Sequence, residues 1–209
     1  MDSKPTPESP MSTRLSYFAF DGSRGLECRL ALTLAGLPFE DKRLDREQWA
    51  ALKPQTPYGA MPVLEVDGRT LSQSNAILTW VGRTHDLHPA DPWRAAEHEA
   101  VMCSVEDLRA KLPGTSGMTD EEKKAARQEF AAGWLARWAE STSQLIRGPF
   151  LDGDRMSVAD VKLYTILRAF HSGAYDHLPG STFDAWPKVQ ALYAAVDAHP
   201  AVRGWFASR

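Results

Sequence analysis

Two hydrophobic periods alternate along the chain as far as Asp86, and beyond it only the helical one continues. Leu15-Ser-Tyr-Phe-Ala-Phe20 has a period of two with aromatics, the pattern of a strand. Asp21-Gly-Ser-Arg-Gly25 reads as a tight loop. Leu26, Leu30, Thr33, Leu34 and Leu37 then recur at helical spacing, with Gly36 where a glycine cap belongs. Phe39 to Leu44 reads as a second strand and residues 46–53 as a short helix, broken by Pro54, Pro57 and Gly59. Met61-Pro-Val-Leu-Glu-Val66 is a strand, Asp67-Gly68 a hairpin turn, and Arg69 to Leu71 the returning strand. Ser74 opens a helix carrying Ile77, Leu78, Trp80 and Val81. The order β-α-β-α-β-β-α calls for parallel pairing at its start and an antiparallel hairpin at its edge.

His88-Pro-Ala-Asp-Pro92 is a linker, and every later pattern is helical. One helix is expected over 93–112 and one over 119–146, the latter opened by a Thr119/Glu122 capping box. Another opens at Ser157, with Asp160 reaching back to it. A fourth follows Trp186-Pro187, and a short last one follows Pro200. The expected layout is a flexible Pro/Ser/Thr-rich tail over 1–13, an α/β domain over 14–86 and an all-α domain over 93–209. Either Met1 or Met11 can start the ordered protein.

Composition narrows the function classes. With 43% hydrophobic and 24% charged residues, the chain has the make-up of a globular protein. A net charge of -3 without a basic run argues against nucleic acid or an anionic membrane surface as partner. No apolar stretch reaches the roughly 18 residues of a membrane span. The first residues, MDSKPTPESP, lack the apolar core of a secretory signal. Cys28 and Cys103 form no C-x-x-C and read as two thiols in a reducing, cytoplasmic compartment.

Three features bear on chemistry. Pro62 stands at the first position of a strand, after Ala60-Met61. A cis bond there turns the Met61 N–H and C=O toward an extended, peptide-like ligand, whereas an ordinary trans proline does not. Gln73-Ser74 begins a helix, whose free N–H groups and dipole suit a carboxylate. Plain capping by Ser74, worth about 1 kcal/mol, is the competing reading. Tyr17, ahead of a glycine loop and Arg24, can donate a hydrogen bond to a thiolate or simply pack. All three fall at the sheet end where open α/β sheets bind ligands.

Tyr17-Phe18, Arg24, Trp49, Lys53, Ala60-Met61-Pro62 and Gln73-Ser74 together resemble the site pattern of the Tyr-type glutathione S-transferases, nearest the sigma and pi classes. Thr70 to Ile77, Val105 to Arg109 and Phe150 to Asp160 are similar to further segments of that family, so the likeness spans the chain after Thr13. The resemblance implies a thioredoxin-like N-terminal domain, an all-α C-terminal domain and a homodimer. It implies glutathione as co-substrate, a small hydrophobic electrophile as partner, and no metal. Tyr17 would donate to the glutathione sulfur, with Arg24 supporting the ionised pair. The Met61 main chain before a cis Pro62 would bond the cysteinyl backbone. Gln73 and Ser74 would hold the γ-glutamyl end, and Trp49 and Lys53 the glycyl carboxylate. Asp107 would reach the neighbouring subunit's γ-glutamyl amine.

An electrophile pocket is expected from Phe18, Phe20, Gly22, Arg109, Leu112 and Pro113. The Asp21–Gly25 loop is one residue longer than the sigma pattern, so Ser23 and Ser16 stand as alternative hydroxyls. Ala60 replaces a frequent Gln or Lys. Gly114 falls near a Trp of sigma-class prostaglandin D synthases, so that activity is not expected. Tyr58 occupies the place of an aromatic key for a partner subunit. His85 and His88 lack the further ligands of a metal site. The alternatives to conjugation are a binding protein of little turnover, a structural member of the superfamily, and a glutathione-dependent peroxidase or isomerase.

Overall fold

The structure is a computed structural model that describes residues 12–209. The tail expected over 1–13 lies outside the described residues as far as Met11. Thr13, its last residue, already belongs to a strand paired with Val66. The first half runs β1 (Thr13–Phe18), α1 (Ser23–Leu34), β2 (Glu40–Leu44), α2 (Arg46–Leu52), β3 (Val63–Val66), β4 (Arg69–Ser72) and α3 (Ser74–Thr84). The sheet order is β2-β1-β3-β4. β1 pairs parallel with β2 (Tyr17 opposite Arg43) and antiparallel with β3 (Leu15 opposite Leu64). The β3–β4 hairpin turns at Asp67-Gly68, both with positive φ.

Two boundaries differ from expectation, and both matter for the site. β1 stops at Phe18 because the Phe20 N–H turns back onto the Phe18 carbonyl at 2.9 Å. α1 then begins at Ser23, so Ser23, Arg24 and Gly25 form its first turn rather than a loop. At the far end Gly36 (φ 65) closes α1, with its own N–H on Thr33 and the Leu37 N–H on Leu32.

The second half is helical: α4 (Pro92–Lys111), α5 (Asp120–Phe130), α6 (Ala136–Leu145), α7 (Val158–His171), α8 (Pro187–Ala198) and α9 (Pro200–Ala207). The single helix expected over 119–146 is interrupted by a π-helical turn at Ala131–Leu135. The Thr119/Glu122 capping box is present. α7 is the central rod, packed on α1, α4 and α8, and eleven of its fourteen residues are buried. Any polar side chain on it therefore needs a partner.

Ser157 and Asp160 open α7 with a reciprocal box. The Asp160 carboxylate accepts from the Leu151 N–H (2.7 Å), the Ser157 N–H (2.8 Å) and the Ser157 hydroxyl (2.6 Å). Burial pushes its pKa up to about 6 despite these bonds. The pair fastens the 150–157 loop to the helix and lies outside the cavities described below. Cys28 is buried in α1, Cys103 is exposed on α4, and both are free. Among the described residues no helix is long and apolar enough to cross a membrane. None of their His, Cys, Asp and Glu side chains form a group of three placed to hold a metal.

Candidate active site

β1 carries Tyr17 to the end of the sheet and buries it to 6% exposure. Its ring lies flat against the first turn of α1. A Cβ on Gly25 would stand 2.0 Å from the ring, so this close approach requires glycine. The rings of Phe18 and Phe20 flank it at 5.7 and 5.8 Å. Burial pushes the phenol's pKa up, while the neighbouring Ser23 hydroxyl and the Arg24 charge pull it down without cancelling the rise. At neutral pH Tyr17 is a protonated donor, not a phenolate base.

Tyr17 lines neither cavity described below, but Arg24, in the helical turn packed on its ring, lines a cavity of about 290 Å³ together with Ala60, Met61, Pro62, Gln73, Ser74, Asn75 and Glu106. The Met61–Pro62 bond is cis. Among the described residues no backbone–backbone bond takes up the Met61 N–H or C=O. The capping reading of Ser74 does not hold. Gln73, at φ 73, is the residue before the helix and makes no side-chain cap. The Ser74 hydroxyl instead accepts from the Lys162 ammonium at 3.3 Å. The first turn of α3 is left without a side-chain cap, as is the first turn of α1 behind Gly22.

Beneath this cavity is a charged cluster that the sequence reading did not single out. The Lys162 side chain on α7 is fully buried and stands 2.6 Å from both Glu27 of α1 and Glu106 of α4. Arg109 closes the ring, 2.8 Å from Glu27 and 2.5 Å from Glu106. Arg24 meets the outer oxygen of Glu106 at 2.6 Å. Burial alone would push both carboxylates up. Lys162 and Arg109 overcome it, holding Glu27 below its usual range and Glu106 at about 2. Three cations share two carboxylates, so the cluster carries a surplus positive charge directly under Ser74.

A second cavity of about 280 Å³ opens on the other side of the α1 start, against α7. Phe20, Gly22 and Arg109 line it as expected. Phe18, Leu112 and Pro113 stand outside it. Phe18 turns toward α2, with its ring 6.3 Å from that of Trp49, and Leu112 packs against the core at the end of α4. Their places are taken by Ile166, Arg168, Ala169 and Tyr175 from α7 and the segment after it. Consecutive residues at the start of α1 separate the two cavities: Ser23 lines this one and Arg24 the other.

Comparison with known proteins decides the family. Residues 13–83 match the profile "Glutathione S-transferase, N-terminal domain" and residues 106–209 the C-terminal domain. Glutathione S-transferase 1 of Ascaris suum is 30% identical over 203 residues, covering 94% of this chain and 96% of that protein. The chain belongs to the glutathione S-transferase family. Two solved structures agree over nearly the whole length. Prostaglandin synthase D of Nilaparvata lugens superposes with a TM-score of 0.80 at 27% identity, covering 95% of this chain and 98% of that one. The transferase of Ascaris lumbricoides gives 0.77 at 26%, covering 95% and 97%.

The remaining candidate residues of this glutathione S-transferase spread around the first cavity. Trp49 lies on α2, and Lys53, exposed, follows at its end. Among the described residues the indole N–H and the ammonium have no hydrogen-bond or ion-pair partner, and neither residue lines the 290 Å³ space itself. Asp107 is exposed on α4, one turn from Cys103. Tyr58 is 82% exposed and held at φ 59. Gly114 has no atom within 4 Å of where a Cβ would sit, and it lines neither cavity.

Proposed function

We propose that this glutathione S-transferase holds glutathione in the cavity between Met61 and Gln73 and conjugates it to hydrophobic electrophiles in the neighbouring cavity. The observation that carries this reading is that both spaces reach the start of α1. There Ser23 and Arg24 line one cavity each, and Tyr17 packs against Gly25 beside them.

The chemistry asks for a thiolate. A thiol of pKa about 8.5 is only a few per cent ionised at pH 7. Lowering it by about two units takes about 2.7 kcal/mol of preference for the charged form. A protonated Tyr17 donor, the Arg24 charge and the N-terminus of α1, uncapped by any side chain, together supply interactions of that kind. Tyr17 need not remove the proton; it favours the state without it. The thiolate then attacks an electrophilic carbon. Ser23 acts through Tyr17, as its immediate hydroxyl neighbour. Ser16 projects to the opposite face of β1 and is not assigned a role.

The rest of the binding assignment follows the family pattern. The Met61 main chain beside cis Pro62 pairs with the cysteinyl backbone. Ser74, the Gln73 turn and the positive cluster below them receive the γ-glutamyl carboxylate. Trp49 and Lys53 receive the glycyl carboxylate. A homodimer completes the site: Tyr58 projects toward a partner subunit, and Asp107 reaches the partner's glutathione amine. Free Cys28 and Cys103 suit a cytoplasmic setting. The likeness to a prostaglandin synthase supports isomerase chemistry on the same thiolate as the second reading. Gly114 offers no side chain to such a pocket, so conjugation is preferred.

Tyr17→Phe tests the proposal. A hydrogen bond to a charged partner contributes about 1.5–3 kcal/mol. Conjugation at pH 7 should therefore fall roughly ten- to hundredfold, with the KM for glutathione within about threefold. Loss of binding in step with rate, or no loss of either, refutes the role.

A further inference from the structure

The electrophile cavity is apolar over most of its wall, through Phe20, Leu26, Ile166, Ala169 and Ala174. Three charged side chains also face it, and they differ in what else they hold. The Asp21 carboxylate takes Arg43 at 2.6 Å. Arg109 is spent on Glu27 and Glu106. Arg168 is different. Its guanidinium lies over the Phe206 ring, 4.5 Å from the centroid, and its one hydrogen bond is a long 3.5 Å contact to the Asp21 carbonyl. Among the described residues no carboxylate lies within ion-pair distance of it.

A half-buried guanidinium normally finds a carboxylate or phosphate, because its planar donors match two oxygens at once. Here the guanidinium stacks on Phe206 and lines a space large enough for a small organic molecule. Tyr175 lines the same cavity, and burial pushes its phenol's pKa up, so it stays a donor at neutral pH. A cation without a carboxylate partner on an otherwise mostly apolar wall suits a monoanionic guest with an apolar body.

We propose that the electrophile of this enzyme carries a carboxylate, and that Arg168 clamps it while its apolar body lies on Phe20, Leu26 and Ile166. The clamp directs the opposite, electrophilic end toward the thiolate. Arg168 is a specificity residue and does not touch the reacting atoms. This rests on the transferase reading above.

An aryl chloride makes the step explicit. The glutathione sulfur forms a bond to the ring carbon, the carbon–chlorine bond breaks, chloride leaves with the electron pair, and the thiol proton goes to solvent. The experiment compares 4-chloro-3-nitrobenzoate with the neutral 4-chloro-3-nitrobenzamide on the full-length wild type, Arg168→Gln and Arg168→Lys. Each rate is taken relative to the uncatalysed reaction. The clamp predicts that Arg168→Gln raises the KM for the benzoate about tenfold, the loss expected for one charge-assisted contact. The benzamide and glutathione KM values should move less than twofold, and Arg168→Lys should recover part of the benzoate affinity. If Arg168→Gln changes both probes alike, or neither, the clamp is overturned and the transferase reading stands. If the wild type conjugates neither probe nor any neutral aryl halide, the transferase reading falls and the clamp with it.

Discussion

Replacing Lys162 by Met removes one buried charge and keeps most of the side chain's length and volume. The ammonium has no solvent contact and stands 2.6 Å from each of two carboxylates. Removing one partner of a buried ion pair costs roughly 3–5 kcal/mol. Arg109 remains on both carboxylates and Arg24 on Glu106, so the loss is expected at the lower end, about 3 kcal/mol. In a chain of 209 residues this corresponds to a fall in Tm of roughly 6–12 °C. The pH dependence has a definite sign. Glu106 sits at about 2 in the folded protein against its ordinary 4.5. A carboxylate with a depressed folded pKa stabilises above its unfolded pKa and loses that contribution as pH falls through the folded value. The gap between wild type and Lys162→Met is therefore widest at neutral pH and narrows between about 4.5 and about 2. Urea unfolding followed by far-ultraviolet circular dichroism, at one fixed protein concentration, measures it at pH 7 and pH 3. A gap below about 1 kcal/mol at pH 7, or one of the same size at pH 3, refutes the argument that Lys162 ties the two halves together through charge.

Two further substitutions probe the placement of the site. Gly25→Ala puts a methyl group into the Tyr17 ring, so it should lower conjugation at least as far as Tyr17→Phe and also reduce stability; a fully active Gly25→Ala enzyme contradicts the packing described for Tyr17. Tyr58→Ala should shift the protein toward monomer in sedimentation velocity at low micromolar concentration while leaving its circular dichroism spectrum unchanged; an unaltered sedimentation coefficient removes Tyr58 from the subunit contact.

Much of this was legible in the chain because it is written in local patterns. The period-two stretch around Tyr17, the Asp67-Gly68 turn and the Ser157–Asp160 box depend on neighbours a few residues away; the turn and the box occur where the pattern places them, and the strand is present but runs Thr13–Phe18 instead of ending at Phe20. The errors arose where geometry overrode local chemistry. Ser74 has the right chemistry for a cap, yet Gln73 takes the capping position, and the serine hydroxyl turns to a lysine 88 positions away. The site's charges were the least legible. Glu27 and Lys162 are 135 positions apart, and each sits in an otherwise unremarkable helix. The one available signal was Lys162 itself, a cation inside the apolar run Val161-Lys-Leu-Tyr of a helix that has to be buried. Arg168 and Tyr175 were missed for a related reason. The electrophile cavity was expected from the end of α4, whereas the face of α7 supplies its wall.

The central claim is that this protein converts the thiol of glutathione into a thiolate. Ultraviolet difference titration of glutathione on the purified protein, following thiolate absorbance against pH, tests it most directly. Glutathione should bind saturably and ionise about two units below the free thiol, with the shift abolished or strongly reduced in Tyr17→Phe. Glutathione that binds with an unshifted thiol, or a shift that survives loss of the Tyr17 hydroxyl, contradicts it.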